Sequence, residues 1–315
     1  MAIDSSAANA PNLFIVQDYL ESDFLTYTVA RMLGPDVFRH ILPFPFIDDR
    51  AAALAKAMEQ ASGKDCLLYD GMASRFSEII TQTKQPYPLP ILCINTTRMQ
   101  DGRPGVISNI DFTDPADRFN KRLDVLDLLA EEKDMKLSTA VVLGASFPYL
   151  SPAGRIDSKN NRDSVLSSHY FVDGGYFDNS GSGVVSEMIN VLLRDTTYAK
   201  YKEKIQFYIL QINNEPSGES LIKKVSPLVN DLAAPIKTLM GSYGSQTTVN
   251  DERLRNFMKN TYNDNQHYRR INLYDDDLDL TYSMNWVISD TLLYAMNRSL
   301  AYNKELKRLI AEIGK

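Results

Sequence analysis

Apolar and polar positions along the chain follow two different periods, and each period predicts a different kind of element. Apolar residues spaced three to four positions apart predict helices at 51–61, 184–193, 226–260 and 286–309. Short apolar runs rich in β-branched and aromatic residues predict strands at 91–96, 169–172 and 205–210. Helical and strand patterns alternate, so the predicted class is α/β with a largely parallel sheet.

Turn and capping residues refine this outline. Asp101-Gly102 stands between the strand at 91–96 and a shorter apolar run at 106–108, which predicts a hairpin. Ser138 is a suitable N-cap for a helix that ends at Gly144. Residues 155–168 are mostly polar and predict an exposed loop.

The stretch from Asp173 to Gly181 is the most informative part of the sequence. It follows the apolar run 169–172 and precedes the helical pattern from Val184, which predicts a strand, a tight turn and a helix. Gly174 and Gly175 allow the backbone to turn sharply and to approach another segment closely. Either Asn179 or Ser180 is suited to cap the helix, and for Asn179 capping is favoured over substrate binding.

Asp173 is the leading candidate for a functional residue. A carboxylate at the carboxyl end of a strand, beside the start of a helix, occupies the place where α/β folds position their chemistry. The structural alternative is an Asp-Gly turn with a capped helix. The segments around it favour the functional interpretation.

Several segments, taken in order along the chain, resemble the bacterial patatin-like phospholipase family. They are 22–26, 42–45, 90–97, 143–154, 173–181 and 283–289. The most specific pair is Phe147-Pro148-x-x-Ser151-Pro152-Ala153-Gly154 and Asp173-Gly174-Gly175-Tyr176-Phe177-x-Asn179-Ser180-Gly181, in which Asp178 fills the last variable position. The similarity runs from about Ser22 to Leu300.

Members of that family are serine acyl hydrolases that cleave lipid esters with a Ser–Asp dyad and no histidine. The resemblance implies that Asp173 is the dyad aspartate and that Gly174, Gly175 and Asn179 belong to the active-site loop. It also implies a three-layer α/β/α fold with a mostly parallel sheet. The expected partners are a lipid ester substrate or a membrane surface, and no cofactor or metal is implied.

The chain departs from the family pattern at the nucleophile. No Gly-x-Ser-x-Gly occurs in it, and Gly144-Ala145-Ser146 has Pro148 where the closing glycine would stand. A glycine-rich oxyanion loop is also missing, and in the family both elements precede the segment that begins here near Ser22. The expectation is therefore an N-terminally incomplete domain over 21–315, the carboxy-terminal part of an acyl hydrolase, that is inactive alone and has the missing N-terminal half as a partner. Residues 1–20 are expected to be a disordered or truncated lead-in.

A second function class stays open. This is a patatin-like remnant without catalysis, acting as a lipid-binding or protein-binding module, which also agrees with the missing motif. The DNA upstream of Met1 would discriminate the two, because a frame encoding the glycine loop and the serine elbow indicates a truncated enzyme.

Two aromatic residues are candidates for a substrate pocket. Phe147 lies in the Phe-Pro segment, and Trp286, the only tryptophan, lies in the segment 283–289. For Trp286 a role as a core anchor is equally favoured. The apolar loop Phe44-Pro45-Phe46-Ile47 can touch acyl chains or a membrane, with burial as the default.

Three further patterns are weaker candidates for functional sites. Ser146 is a displaced nucleophile only if Asp173 lies within hydrogen-bond reach, and a loop serine is the favoured interpretation. Ser220-Leu221-Ile222-Lys223 matches a Ser-x-x-Lys pattern that occurs by chance in many chains. The acidic run from Asp275 to Asp279 lacks the spacing and the glycine of a calcium loop, which favours a solvated turn.

Composition limits which partners, metal sites and cellular locations the sequence is compatible with. The net charge of −6 argues against nucleic acid as the main partner. Cys66 and Cys93 lie in apolar runs, which favours buried thiols and a reducing compartment, and the three histidines lack ligand spacing. No apolar run approaches the ~20 residues of a membrane span, and no signal segment begins the sequence. The expected location is the cytoplasm, with at most peripheral contact with a membrane.

Overall fold

The protein is described here by a computed structural model. It describes residues 18–24, 26–34, 36, 49–62, 71–81, 90–113, 122–129, 134–146, 152–159, 166–195, 199–213, 246–262, 267–272 and 289–313. The chain divides into two units, Met1–Phe177 and Asp178–Lys315. Both helices and strands occur in each unit, so the α/β class predicted from the sequence is confirmed.

The helices of the first unit include four whose bounds are described in full before residue 150. They are α1 (Thr26–Leu33), α2 (Arg50–Ser62), α3 (Phe76–Thr81) and α4 (Leu137–Gly144). The prediction for α2 is confirmed, but Ser138 does not cap α4. Lys136 occupies the N-cap position, and the Ser138 hydroxyl donates to Glu59 of α2 over 2.7 Å. Ser138 is the second residue of α4, two positions beyond the N-cap from which a side-chain oxygen accepts the first helical amides.

The sheet of the first unit has five strands. They are β1 (Cys93–Arg98), β2 (Pro104–Ser108), β3 (Leu123–Asp124), β4 (Gly154–Lys159) and β5 (Leu166–Asp173), in the order β3-β2-β1-β5-β4. The predicted hairpin is confirmed as the antiparallel pair β1 and β2, with Gly102 at φ 68° in the connection. A left-handed φ of this kind favours glycine, which is why Asp-Gly is a good signal for a turn.

Two predictions about this sheet need correction. Residues 155–168 were expected to form an exposed loop, but 155–159 belong to β4 and 166–168 to β5, paired antiparallel. Polar side chains are compatible with a strand that has one solvated face. The sheet was also expected to be mostly parallel, yet only the pairing of β2 with β3 is parallel among its described pairings.

The core of the first unit lies between the sheet and its helices, and α4 contacts both β1 and β5. Its buried members are Phe76, Ile107, Val125, Met135, Ala140, Leu143, Ile156 and Phe171. Phe171 is completely buried two residues before the end of β5. This packing fixes the carboxyl end of β5, where Asp173 stands.

The second unit contains a separate small sheet and several helices. After α5 (Gly175–Asp178), whose last residue opens this unit, come α6 (Ser182–Arg194), β6 (Ile209–Asn213), α7 (residues 246–262), β7 (Tyr268–Asn272), α8 (Asp290–Tyr302) and α9 (Lys304–Ile313). Short 3₁₀ turns occupy Leu126–Leu128 in the first unit and Ala199–Lys204 in the second. The strands β6 and β7 pair in parallel.

The strand predicted at 205–210 is displaced in the structure, because β6 begins only at Ile209. Before it, the Phe207 amide donates to the Tyr262 hydroxyl over 2.8 Å instead of to a strand partner. The second core is built around Ile189, Leu254 and Met258. The helices predicted at 184–193 and near the carboxyl terminus are confirmed, and the one at 226–260 is confirmed over its described part, 246–260.

Candidate functional site

Asp173 is the last residue of β5, as the sequence predicted. It pairs with Thr96 of β1 in an antiparallel register, and β5 lies between β1 and β4 in the sheet. Its amide donates to the Ser146 carbonyl over 3.2 Å, and the Gly174 amide donates to the Gly144 carbonyl over 3.0 Å. The segment that follows α4 is thereby held against the end of β5.

The Asp173 carboxylate accepts a single hydrogen bond from the described residues. Its Oδ1 accepts from the Gly175 amide over 2.6 Å, and no other described residue donates to it. Burial raises the pKa of Asp173, while the bond from Gly175 acts in the opposite direction. A half-buried carboxylate with a raised pKa holds a proton more readily than an ordinary aspartate, which is what a general base needs.

Gly174 is required by a close backbone approach. A Cβ built at this position would lie 2.3 Å from the Asn95 carbonyl oxygen and 2.5 Å from the Asn95 carbonyl carbon. Real Cβ atoms do not approach backbone this closely, so no side chain fits without moving β1 or the turn. The prediction that glycine permits close approach is confirmed for Gly174. Gly175 begins α5 and supplies the amide bound to Asp173.

A backbone hydrogen bond joins Ser146 to Asp173, but the Ser146 side chain does not contact the Asp173 carboxylate through a hydrogen bond. Ser146 is buried, with 2% of the residue exposed, and its hydroxyl donates to the Val142 carbonyl over 2.6 Å. No hydrogen bond between the Ser146 hydroxyl and the Asp173 carboxylate occurs in the described structure. The condition for a displaced nucleophile is therefore not met, and Ser146 serves the end of α4.

Two residues bind the amides at the start of α6, and one of them, Ser180, was expected. The Ser182 amide donates to the Ser180 hydroxyl over 3.3 Å. Gly181 holds the N-cap position at φ 75° without a side-chain bond, and the buried Asp178 accepts from the Gly183 and Val184 amides over 3.0 and 2.9 Å. Asn179 is exposed, and its own amide donates to the Thr247 hydroxyl over 3.3 Å. The cap prediction for Asn179 is wrong because the left-handed turn at Gly181 brings the preceding carboxylate onto the first helical amides.

Sequence reasoning also missed the residues that hold β1 beside the turn. The Thr96 hydroxyl lies 2.8 Å from the Val172 carbonyl and 3.1 Å from the Leu143 carbonyl, so it joins β5 to α4. The buried Arg122 donates to the Asn95 side chain over 3.3 Å. The sequence does contain one indication of this contact, because Asn95 is a polar residue within a predicted strand and needs a hydrogen-bond partner there.

Several predicted features lie outside the described residues. These are Phe147, Trp286, the apolar loop at 44–47, the Ser220 to Lys223 pattern and the acidic run from Asp275 to Asp279. Among the residues the structure does describe, no group of three or more His, Cys, Asp or Glu side chains is arranged to hold a metal ion. Across the same residues, no helix combines the length and the apolar character needed to cross a membrane.

No protein-family model and no curated protein matches the sequence.

Proposed function

We propose that this chain carries the aspartate half of a Ser–Asp dyad of a patatin-like lipid acyl hydrolase, with Asp173 as the base. The observation that supports this most is the state of the Asp173 carboxylate. It stands at the end of an interior strand, is half-buried, accepts one backbone hydrogen bond and has a raised pKa. These are the properties expected of a proton acceptor at the reacting end of a sheet.

The reaction assigned to it is acyl transfer to a serine. Asp173 takes the proton of the serine hydroxyl as the oxygen attacks the ester carbonyl, and backbone amides hold the negative charge on the carbonyl oxygen. The proton then passes to the departing alcohol, and water releases the acyl group in a second round. The serine and the oxyanion amides come from a segment with Gly-x-Ser-x-Gly, because that motif does not occur in these 315 residues.

The proposal includes a patatin-like three-layer fold and a lipid ester at a membrane surface as the substrate. The strand, turn and helix around Asp173 and the parallel pairing of β6 with β7 support it. The antiparallel pairings of β5 do not. A non-catalytic binding module is the second candidate, and the missing serine motif favours it.

The experiment adds the glycine loop and the serine elbow that do not occur in this sequence. A segment carrying a glycine loop and a Gly-x-Ser-x-Gly elbow is added, fused or in trans, and the hydrolysis of p-nitrophenyl acyl esters and labelling by a fluorophosphonate probe are measured. We expect neither reaction with the chain alone and both with the combination.

Two results would contradict this account. Stoichiometric probe labelling of a serine in the chain alone would show that the nucleophile is already present. A folded combination that binds lipid vesicles but hydrolyses no ester would favour the binding module.

A further inference from the structure

The second unit contains an open cleft of about 420 Å³ that the proposed hydrolase chemistry does not use. One wall is a single face of α7, and β7 and the first turn of α9 supply the rest. A cleft of this size is large enough for a small polar ligand. Its lining is rich in charged side chains, and their hydrogen bonds indicate which charges are available to a ligand.

Three cations line this cleft without an ion pair. Arg255 and Lys259 lie one turn apart on α7, and Arg270 extends from β7. All three side chains are exposed, and the described structure shows no salt bridge for any of them. Their charges are therefore free to interact with a ligand.

Two of the acids in the cleft are already engaged by protein groups. Asp251 accepts from the Ser180 hydroxyl and, over 2.7 Å, from the Gln211 side chain. Glu305 accepts from Arg269 and Arg308 over 2.8 and 2.9 Å. These bonds explain why the acids do not pair with the cleft cations, although Asp251 and Arg255 are one helical turn apart.

Tyr268 also lines the cleft, and charged residues of the lining influence its phenol. Its hydroxyl donates to the Gln211 side chain. Burial raises the pKa of Tyr268 and Asp251 adds to that rise, whereas Arg270 and Arg255 lower it. Both arginines therefore act electrostatically on a phenol that lines the same cleft as they do.

We propose that this cleft binds the phosphate group of a small ligand through Arg255, Lys259 and Arg270. Guanidinium groups match phosphate oxygens with paired hydrogen bonds, and a lysine ammonium adds a third positive charge. A phosphate monoester carries up to two negative charges, which three unpaired cations accommodate. The same chemistry is offered by a soluble phosphate ester and by a lipid headgroup.

This site goes beyond the proposed hydrolase function and does not depend on it. It lies within the second unit, and none of its residues belongs to the Asp173 turn. The two proposals can therefore fail separately.

The first experiment titrates the full chain with inorganic phosphate by calorimetry at low ionic strength. Arg255→Gln and Arg270→Gln should each weaken binding about tenfold, since each removes charge-assisted hydrogen bonds. The matched control is Arg253→Gln, an exposed arginine on α7 that does not line the cleft. It should change the affinity less than about twofold, because only screened long-range charge is lost.

Glu252→Gln tests the sign of the electrostatic argument. Glu252 is an exposed acid on the same wall of the cleft, and removing its charge should strengthen phosphate binding. Thermal melting of all four variants checks that they fold. No binding of phosphate, or equal weakening by Arg253→Gln and Arg255→Gln, would overturn the proposal.

The second experiment separates the two sources of phosphate. Glycerol 3-phosphate and vesicles containing phosphatidic acid are compared, with phosphatidylcholine vesicles as the control. Binding of phosphatidic acid vesicles that is lost in Arg255→Gln identifies a lipid headgroup. Binding of glycerol 3-phosphate alone identifies a soluble ester, and failure of both ligands would contradict the proposal.

Discussion

Asp173 ends β5 and Asp178 ends the short helix α5, and the surroundings of these two carboxylates differ. Asp178 is 2% exposed, and both of its oxygens accept backbone amides at the start of α6. Asp173 is half-buried and accepts one amide, from Gly175. Two amide donors identify Asp178 as a cap, whereas the single donor to Asp173 supports the proposal that this carboxylate accepts a proton.

The largest expected difference concerns catalysis in the protein restored with a serine elbow. Asp173→Asn keeps the shape and removes the base, so ester hydrolysis should fall on the order of 10³-fold. Asp178→Asn is the matched control and should retain activity to within about tenfold, provided that the protein stays folded. If hydrolysis falls equally in both variants, the two carboxylates do not differ in role.

The close approach at the Asp173 turn gives the largest expected effect on stability. Gly174→Ala forces a Cβ against the Asn95 backbone and should lower the free energy of unfolding by about 3 kcal/mol. Gly102→Ala is the control, since its Cβ would meet nothing within 4 Å and the cost is the left-handed φ of 68°, about 1 kcal/mol. Urea unfolding measures both, and equal costs would show that the turn is not tightly packed.

Loss of the α6 cap should have a somewhat smaller effect. Asp178→Ala leaves the Gly183 and Val184 amides without their acceptor and should destabilise the protein by about 2 kcal/mol. Asn179→Ala should cost less, because that side chain is exposed. A greater loss of stability for Asn179→Ala in thermal melting would restore Asn179 as the cap.

The smallest expected effect is a dependence of stability on pH. Because the pKa of Asp173 is raised in the folded state, the folded protein binds this proton more tightly than the unfolded chain does. The tighter binding of this proton stabilises the folded state fully below the pKa that Asp173 has in the unfolded chain. The stabilisation is lost as the pH rises through the pKa of Asp173 in the folded state. Asp173→Asn should therefore gain stability relative to the native protein across that window, measured by urea unfolding at several pH values. A gain that appears on acidification instead would mean that the shift has the opposite sign.

The position of Asp173 was predictable because its signals are local. An apolar run, two glycines and a helical pattern follow one another directly, and the structure ends β5 at Asp173 and begins α6 at Ser182. The antiparallel partners of β5 were not predictable, because strand direction depends on segments far away in sequence, such as β1. The cap by Asp178 was missed because it depends on the backbone conformation of Gly181, which composition does not reveal.

The most direct test of the central claim is the proton affinity of Asp173 itself. Carbon-13 NMR of the aspartate carboxyl groups, assigned with Asp173→Asn, follows this group through an acid titration of the folded chain. We expect a midpoint above the ordinary aspartate pKa of 3.8, because burial outweighs the bond from Gly175. A midpoint at or below 3.8 would show a carboxylate held in its charged form, and the claim that Asp173 is prepared to accept a proton would be wrong.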